Sequence, residues 1–152
     1  MTDAGVSRLT DHLGFWLRMV SNHVSHGFAR RLDGCGVTVA EWVLMRELYG
    51  TEPMAPSRLA DRMGMTRGAI SKLSDRLIAK GLVCRVDDPS DGRAHTLSLT
   101  GTGTGLVPDL ARLADENEAE FFASLTDEER RVMESALRRI VSDCGLTHLP
   151  VE

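Results

Sequence analysis

The chain has 152 residues, 42% of them hydrophobic, and a formal charge of -4 at neutral pH. That length suits a single domain, or one compact core with extensions used for association, and no apolar run approaches the ~20 residues that a membrane span needs. The opening MTDAGVSRLTDHLGFWL is interrupted by Asp3, Arg8, Asp11 and His12, unlike a signal peptide, so the expectation is a cytoplasmic protein.

Cys35, Cys84 and Cys144 are odd in number, widely spaced and never form a CxxC pair. This speaks against a disulfide framework and against a cysteine-based zinc site. The net charge is unevenly spread: residues 1–55 carry -1, residues 56–95 carry +3 and residues 101–152 carry -6. Charge acts where it sits, so the basic middle is where a polyanion would bind.

Apolar residues recur at helical spacing from about Leu9 to Leu32 (Leu13, Trp16, Leu17, Val20, Val24, Phe28), which predicts one long amphipathic helix ended by Gly34-Cys35-Gly36. Thr38-Val39-Ala40-Glu41 has the spacing of a capping box, so a second helix is expected from Val39 to near Gly50. Pro56 suits the first turn of a short third helix, SRLADRM, stopped by Gly64. Thr66 can cap a fourth, Arg67 to Lys80, with Ile70, Leu73 and Leu77 as its buried stripe and Gly81 closing it.

The period then changes to two. Leu82 to Val86 and His95 to Leu99 read as paired strands around a long polar turn, DDPSDGR. GTGTGLVP is a poor helix start, because of its glycines and Pro108, so the next helix is expected to begin late, near Leu106, or to bend there. Thr126-Asp127-Glu128-Glu129 is a second capping box, opening a last helix through about Asp143. Val132, Met133, Ala136, Leu137, Ile140 and Val141 give it an apolar face. No internal repeat or low-complexity segment is present.

Ala60, Gly64 and Ile70 occupy the positions a helix-turn-helix requires: a small residue at the crossing, a glycine at the turn and a branched anchor on the second helix. With the anchor stripe inward, Arg67, Gly68, Ser71, Lys72 and Asp75 face outward near a helix N-terminus, where they can reach base edges and phosphates. The hairpin would set Arg93 beside this helix, within reach of a minor groove.

The stretches SRLADRMGMTRGAISKLSDRL and IAKGLVCRVDDPSDGRAHTLSLTGTG together resemble the winged-helix core of the MarR family of bacterial transcription regulators. Asp91-Gly92-Arg93 and Leu99-Thr100-Gly101-Thr102-Gly103 match the family's wing signature, and the flanking helices agree in order and length. The resemblance implies a mainly α fold with a small β-hairpin wing: one domain over 1–152, its winged helix-turn-helix core at 38–100 and dimerisation helices at 8–33 and 104–145. It also implies a homodimer on double-stranded operator DNA, Arg93 in the minor groove and Asp91 bracing it. The candidate DNA contacts are Ser57, Thr66, Arg67, Gly68, Ser71, Lys72, Arg76, Asp91 and Arg93. Dimerisation also follows from the long apolar faces of the end helices, which a small core cannot cover.

By the same resemblance, a small aromatic or anionic ligand is expected between the dimer helices and the core, releasing a repressor from its operator. Trp16, Met19, His23, Trp42, Met45, Arg46 and Tyr49 are the candidate ligand contacts. Two other sensing modes are weaker: His23 and His26 lie near one helix face without the clustered ligands a metal needs, and the family's cysteine position near the start of the first helix is here DHLGFWLRM, leaving only Cys35. No metal site and no cofactor are expected. Nor is catalysis, since no GxSxG, P-loop, GxGxxG or HExxH pattern occurs. A winged-helix module for protein partners would place apolar residues where Arg67, Ser71 and Lys72 stand.

Overall fold

A computed structural model describes the backbone of residues 5–88 and 90–152, and the side chains of these except at 88 and 91–93. Six helices and one hairpin follow in the order α1 (Leu13–Asp33), α2 (Val39–Leu48), α3 (Pro56–Met63), α4 (Arg67–Ala79), β1 (Val83–Asp88), β2 (Asp91–Leu99), α5 (Gly101–Phe121), α6 (Asp127–Asp143).

The expected first helix is broken. Leu9–Asp11 form a separate 3₁₀ turn, and His12 takes an extended conformation before α1 begins. The Asp11 carboxylate accepts from the Arg8 N–H at 2.7 Å and the Trp16 indole N–H donates to Thr10 O at 3.0 Å, so local polar contacts close the turn instead of continuing the helix. Past Leu32 the chain reverses at Gly36, whose φ is +70°.

Thr38 caps α2 as expected, accepting from the Glu41 N–H at 3.2 Å, but Glu41 does not reach back to complete the box. Its carboxylate is 1% exposed and accepts instead from Lys80 Nζ at 2.7 Å, with Arg76 Nη2 at 3.8 Å. A buried carboxylate needs a cation more than it needs a cap. Lys80 also donates to Gly36 O at 2.7 Å, so one ammonium ties the end of α4 to the turn before α2.

The core is built from α2, α3, α4, the foot of the hairpin and the first half of α5: Leu44, Met45, Leu59, Ile70, Leu77, Leu97 and Leu110 are all buried. The strands run further into the turn than expected, pairing from Val83↔Leu99 to Asp88↔Asp91 with a register shift between Asp87 and Asp88. Ladder hydrogen bonds belong to the backbone, so an exposed wing extends through polar residues that carry no alternating pattern. Met54 and Leu97 add reciprocal hydrogen bonds of 2.9 and 2.8 Å, which tether the segment between α2 and α3 to β2.

α5 corrects the expected late start. It begins at Gly101 and runs through Pro108. Thr100 accepts from the Gly103 N–H at 3.0 Å and its hydroxyl donates to Gly81 O at 2.7 Å. A Cβ on Gly103 would lie 2.0 Å from Leu82 O, so glycine is what lets α5 start against the root of the wing.

α6 opens with both halves of its capping box, Glu129 N–H to Thr126 Oγ1 at 3.1 Å and Thr126 N–H to Glu129 Oε1 at 3.2 Å. None of its residues is buried. Val132, Leu137, Ile140 and Val141 lie exposed along it, as do Leu13, Trp16, Leu17, Met19 and Val20 along α1. No helix is long and apolar enough to cross a membrane among the described residues.

Candidate nucleic-acid interface

Ala60 is 5% exposed where α3 meets α4, and Gly64 turns the chain between them at φ +63°, ψ +31°. Thr66 caps α4 by accepting from the Ala69 N–H at 3.1 Å. Ile70, Leu73 and Leu77 face the core, and Ser74, buried among them, is satisfied by donating to Ile70 O at 2.7 Å. The opposite face carries Arg67, Gly68, Ser71 and Lys72, all exposed. Among the described residues no carboxylate pairs with Arg67 or Lys72, so both cations are free to meet phosphate.

A groove of about 430 Å³ runs between this face and the wing, lined by Ser57, Arg67, Ser71, Arg85, Ala94 and His95 among others. Three of the sequence candidates, Ser57, Arg67 and Ser71, thus meet in one place. Arg85 and His95 join them without having been singled out, since on an exposed strand they look like ordinary solvated residues. Asp75 is bonded to Arg85 and braces the wing against α4. Arg76 lies toward α2, near Glu41. The side chains of Asp91 and Arg93 lie outside the described residues; their backbone forms the first residues of β2.

A second cavity, of about 410 Å³, opens between α1, α2, α5 and the segment after α6. Phe28, Trp42 and Phe122 supply rings, with Phe28 and Trp42 edge to face at 6.3 Å, and Arg46 is the cation on its wall. Of the seven candidate ligand contacts only Trp42 and Arg46 line it. Met45 is fully buried in the core, Tyr49 lies under the Arg46 guanidinium at 5.7 Å, and Trp16 and Met19 are exposed on α1. His23 stacks edge to face on Phe121 at 5.1 Å. Val24 and Asn117, which do line the cavity, look in sequence like plain helix positions. Asn117 Nδ2 donates to Val24 O at 3.1 Å, while its buried Oδ1 has no partner.

Glu47, also on the wall, is bonded to Arg62 of α3. That hydrogen bond, and then its charge, hold the Arg62 guanidinium further toward its charged form than usual. Among the described residues no group of three or more His, Cys, Asp or Glu is placed to hold a metal ion. Cys35 and Cys144 are exposed and Cys84 half-buried, all as free thiols.

Two helices joined at a glycine turn, with a hairpin standing beside the second, define a winged helix-turn-helix protein. Residues 37–95 match the MarR family model. A Thauera aromatica protein described as a transcriptional regulatory protein for the hcr operon is 28% identical over 133 residues, covering 87% of this chain and 80% of its own length. A MarR-family transcriptional regulator from Rhodococcus sp. RHA1 superposes with a TM-score of 0.77 at 26% identity, over 89% of this chain and 97% of that one. An E. coli MarR mutant solved with operator DNA shares the fold, with a TM-score of 0.77 at 22% identity over 90% and 99% of the two chains. Residues 37–95 thus match the MarR family's winged-helix region, and the chain along most of its length is similar to that family's transcriptional regulators.

Proposed function

We propose that the protein is a homodimeric, sequence-specific DNA-binding regulator that occupies a pseudo-palindromic operator as a repressor and leaves it when a small ligand binds. The observation that carries this reading is the exposed Arg67, Ser71 and Lys72 face beside the wing, in the part of the chain with a local charge of +3. A helix presenting such side chains fits the major groove, and its N-terminus favours phosphate. Ser57, Thr66, Gly68 and Arg76 are assigned to the same footprint, Arg93 to the minor groove, and Asp91 to bracing Arg93. The E. coli relative bound to operator DNA supports the mode of docking through their common fold. Such a protein works where the DNA is, in the cytoplasm.

The second copy follows from the exposed apolar stripes of α1 and α6, which water would otherwise cover at a cost. A two-fold dimer sets its recognition helices about one DNA turn apart, roughly 34 Å. The ligand is assigned to the cavity between α1, α2 and α5. Its rings suit an aromatic compound, and Arg46 suits an anionic group on it. Glu47, Glu118 and Glu152 are also on the wall, so an anionic group is confined to the neighbourhood of Arg46.

The test is selection from a pool of random duplexes at near-physiological salt, followed by sequencing of the retained DNA. An inverted repeat is the expected product. Retention without sequence preference would mean that the winged core serves some other partner.

A further inference from the structure

The segment after α6, Leu146-Thr147-His148-Leu149-Pro150-Val151-Glu152, folds back along the surface of the core, with Leu149 and Val151 half-buried and the other residues exposed. Gly145, at φ +63°, reverses the chain, and the Leu146 N–H donates back to Val141 O at 2.9 Å. Further on, the Leu149 N–H donates to Arg62 O at 3.1 Å. Arg62 lies in the last turn of α3, so this bond satisfies one of the carbonyls that a helix end leaves without an internal partner.

One residue earlier, the His148 ring rests on Gly64. A Cβ on Gly64 would lie 2.6 Å from that ring, so the turn of the helix-turn-helix is glycine for two reasons, its left-handed backbone and the imidazole lying over it. On the other side, Leu149, Pro150 and Glu152 form a wall of the 410 Å³ cavity, and Val151 packs against the core. Arg62 therefore holds two residues of the cavity wall: its main chain holds Leu149, and its side chain holds Glu47.

We propose that residues 146–152 are a strap that closes the cavity and pins the helix-turn-helix turn, so that whatever fills the cavity acts on α4 through Leu149, His148 and Arg62. As a carrier of a ligand signal, the strap rests on the ligand reading above; as a lid and a pin, it does not. Pro150 suits the role, since its fixed φ lowers the entropy lost in holding a short segment in place.

The test needs no ligand. The chain has two tryptophans, so in a Trp16→Phe background Trp42 alone reports on the cavity. Three proteins are compared: the full chain, a chain ended after Leu146, and the full chain with His148→Ala and Leu149→Pro, which removes the ring and the donating N–H while keeping the length. Acrylamide quenching of Trp42 should rise in both strap variants. Amide exchange at Gly64 and Met65 should quicken by about fivefold, the worth of one net backbone hydrogen bond. Should the shortened chain fail to fold, the double substitution decides.

Unchanged quenching would overturn the lid, and unchanged exchange at the turn would overturn the pin. A naphthalene-sulfonate dye titrated into the full chain separates the two readings. If it finds no site near Trp42 while quenching and exchange behave as expected, the ligand reading fails and the strap stands.

Discussion

The middle of the chain and its ends treat their apolar residues in opposite ways. In the winged core Leu59, Met63, Ile70, Leu77 and Leu97 are at most 2% exposed, whereas Leu13, Trp16 and Met19 on α1 and Val132 and Ile140 on α6 are 46 to 71% exposed. The core therefore has a closed interior of its own. The end helices have the faces of an interior without its other half, and the symmetric solution is a second copy of the same faces. Charge divides the molecule along the same line, with +3 in residues 56–95 and -6 in residues 101–152, so the proposed dimer would offer DNA its winged side and keep its acidic helices away.

The comparison breaks first in the core. Leu77→Ala should cost about 2–5 kcal/mol of unfolding free energy, because a fully buried side chain leaves a cavity among rigid neighbours; urea denaturation measures it. Leu137→Asp with Ile140→Asp should leave the core folded but raise the dimer dissociation constant about 100-fold or more, since the charges would be buried without partners. Sedimentation across a dilution series reads this directly, and a dimer as tight as wild type would remove α6 from the interface.

On the DNA side, Arg67→Ala or Lys72→Ala should weaken operator binding by about 1–3 kcal/mol wherever the side chain meets a base edge, and relax preference at one operator position. Arg76→Ala, whose guanidinium lies near Glu41, should cost less than about 1 kcal/mol in the same titration. The smallest effect concerns the wing: Arg93→Ala should make the salt dependence of binding shallower by about one counterion. A slope equal to wild type would place Arg93 off the phosphate-lined groove.

Much of the core was legible because its signals are local. Thr38, Thr66 and Thr126 cap helices from three residues away, Gly64 takes the turn conformation its position requires, and the Ile70, Leu73 and Leu77 stripe keeps helical period. What escaped depends on distant partners. Glu41 left its capping box for Lys80, 39 residues on. GTGTGLVP reads as a weak start until Leu82 O is seen against Gly103. The ring-lined cavity draws Phe28 from α1, Trp42 from α2 and Phe122 from the turn after α5, and no spacing within one helix separates such residues from core residues like Met45. The wing's length was hidden because its outer rungs are backbone bonds between polar residues.

The measurement that bears most directly on the division between closed core and open ends is the mass of the protein bound to a selected duplex, by native mass spectrometry or sedimentation. Two chains on one inverted repeat, falling to weak or absent binding when Leu137 and Ile140 carry aspartates, is the predicted result. One chain bound with full affinity, or a complex unaffected by those substitutions, would show that the winged core acts alone and that the exposed faces of α1 and α6 serve something else.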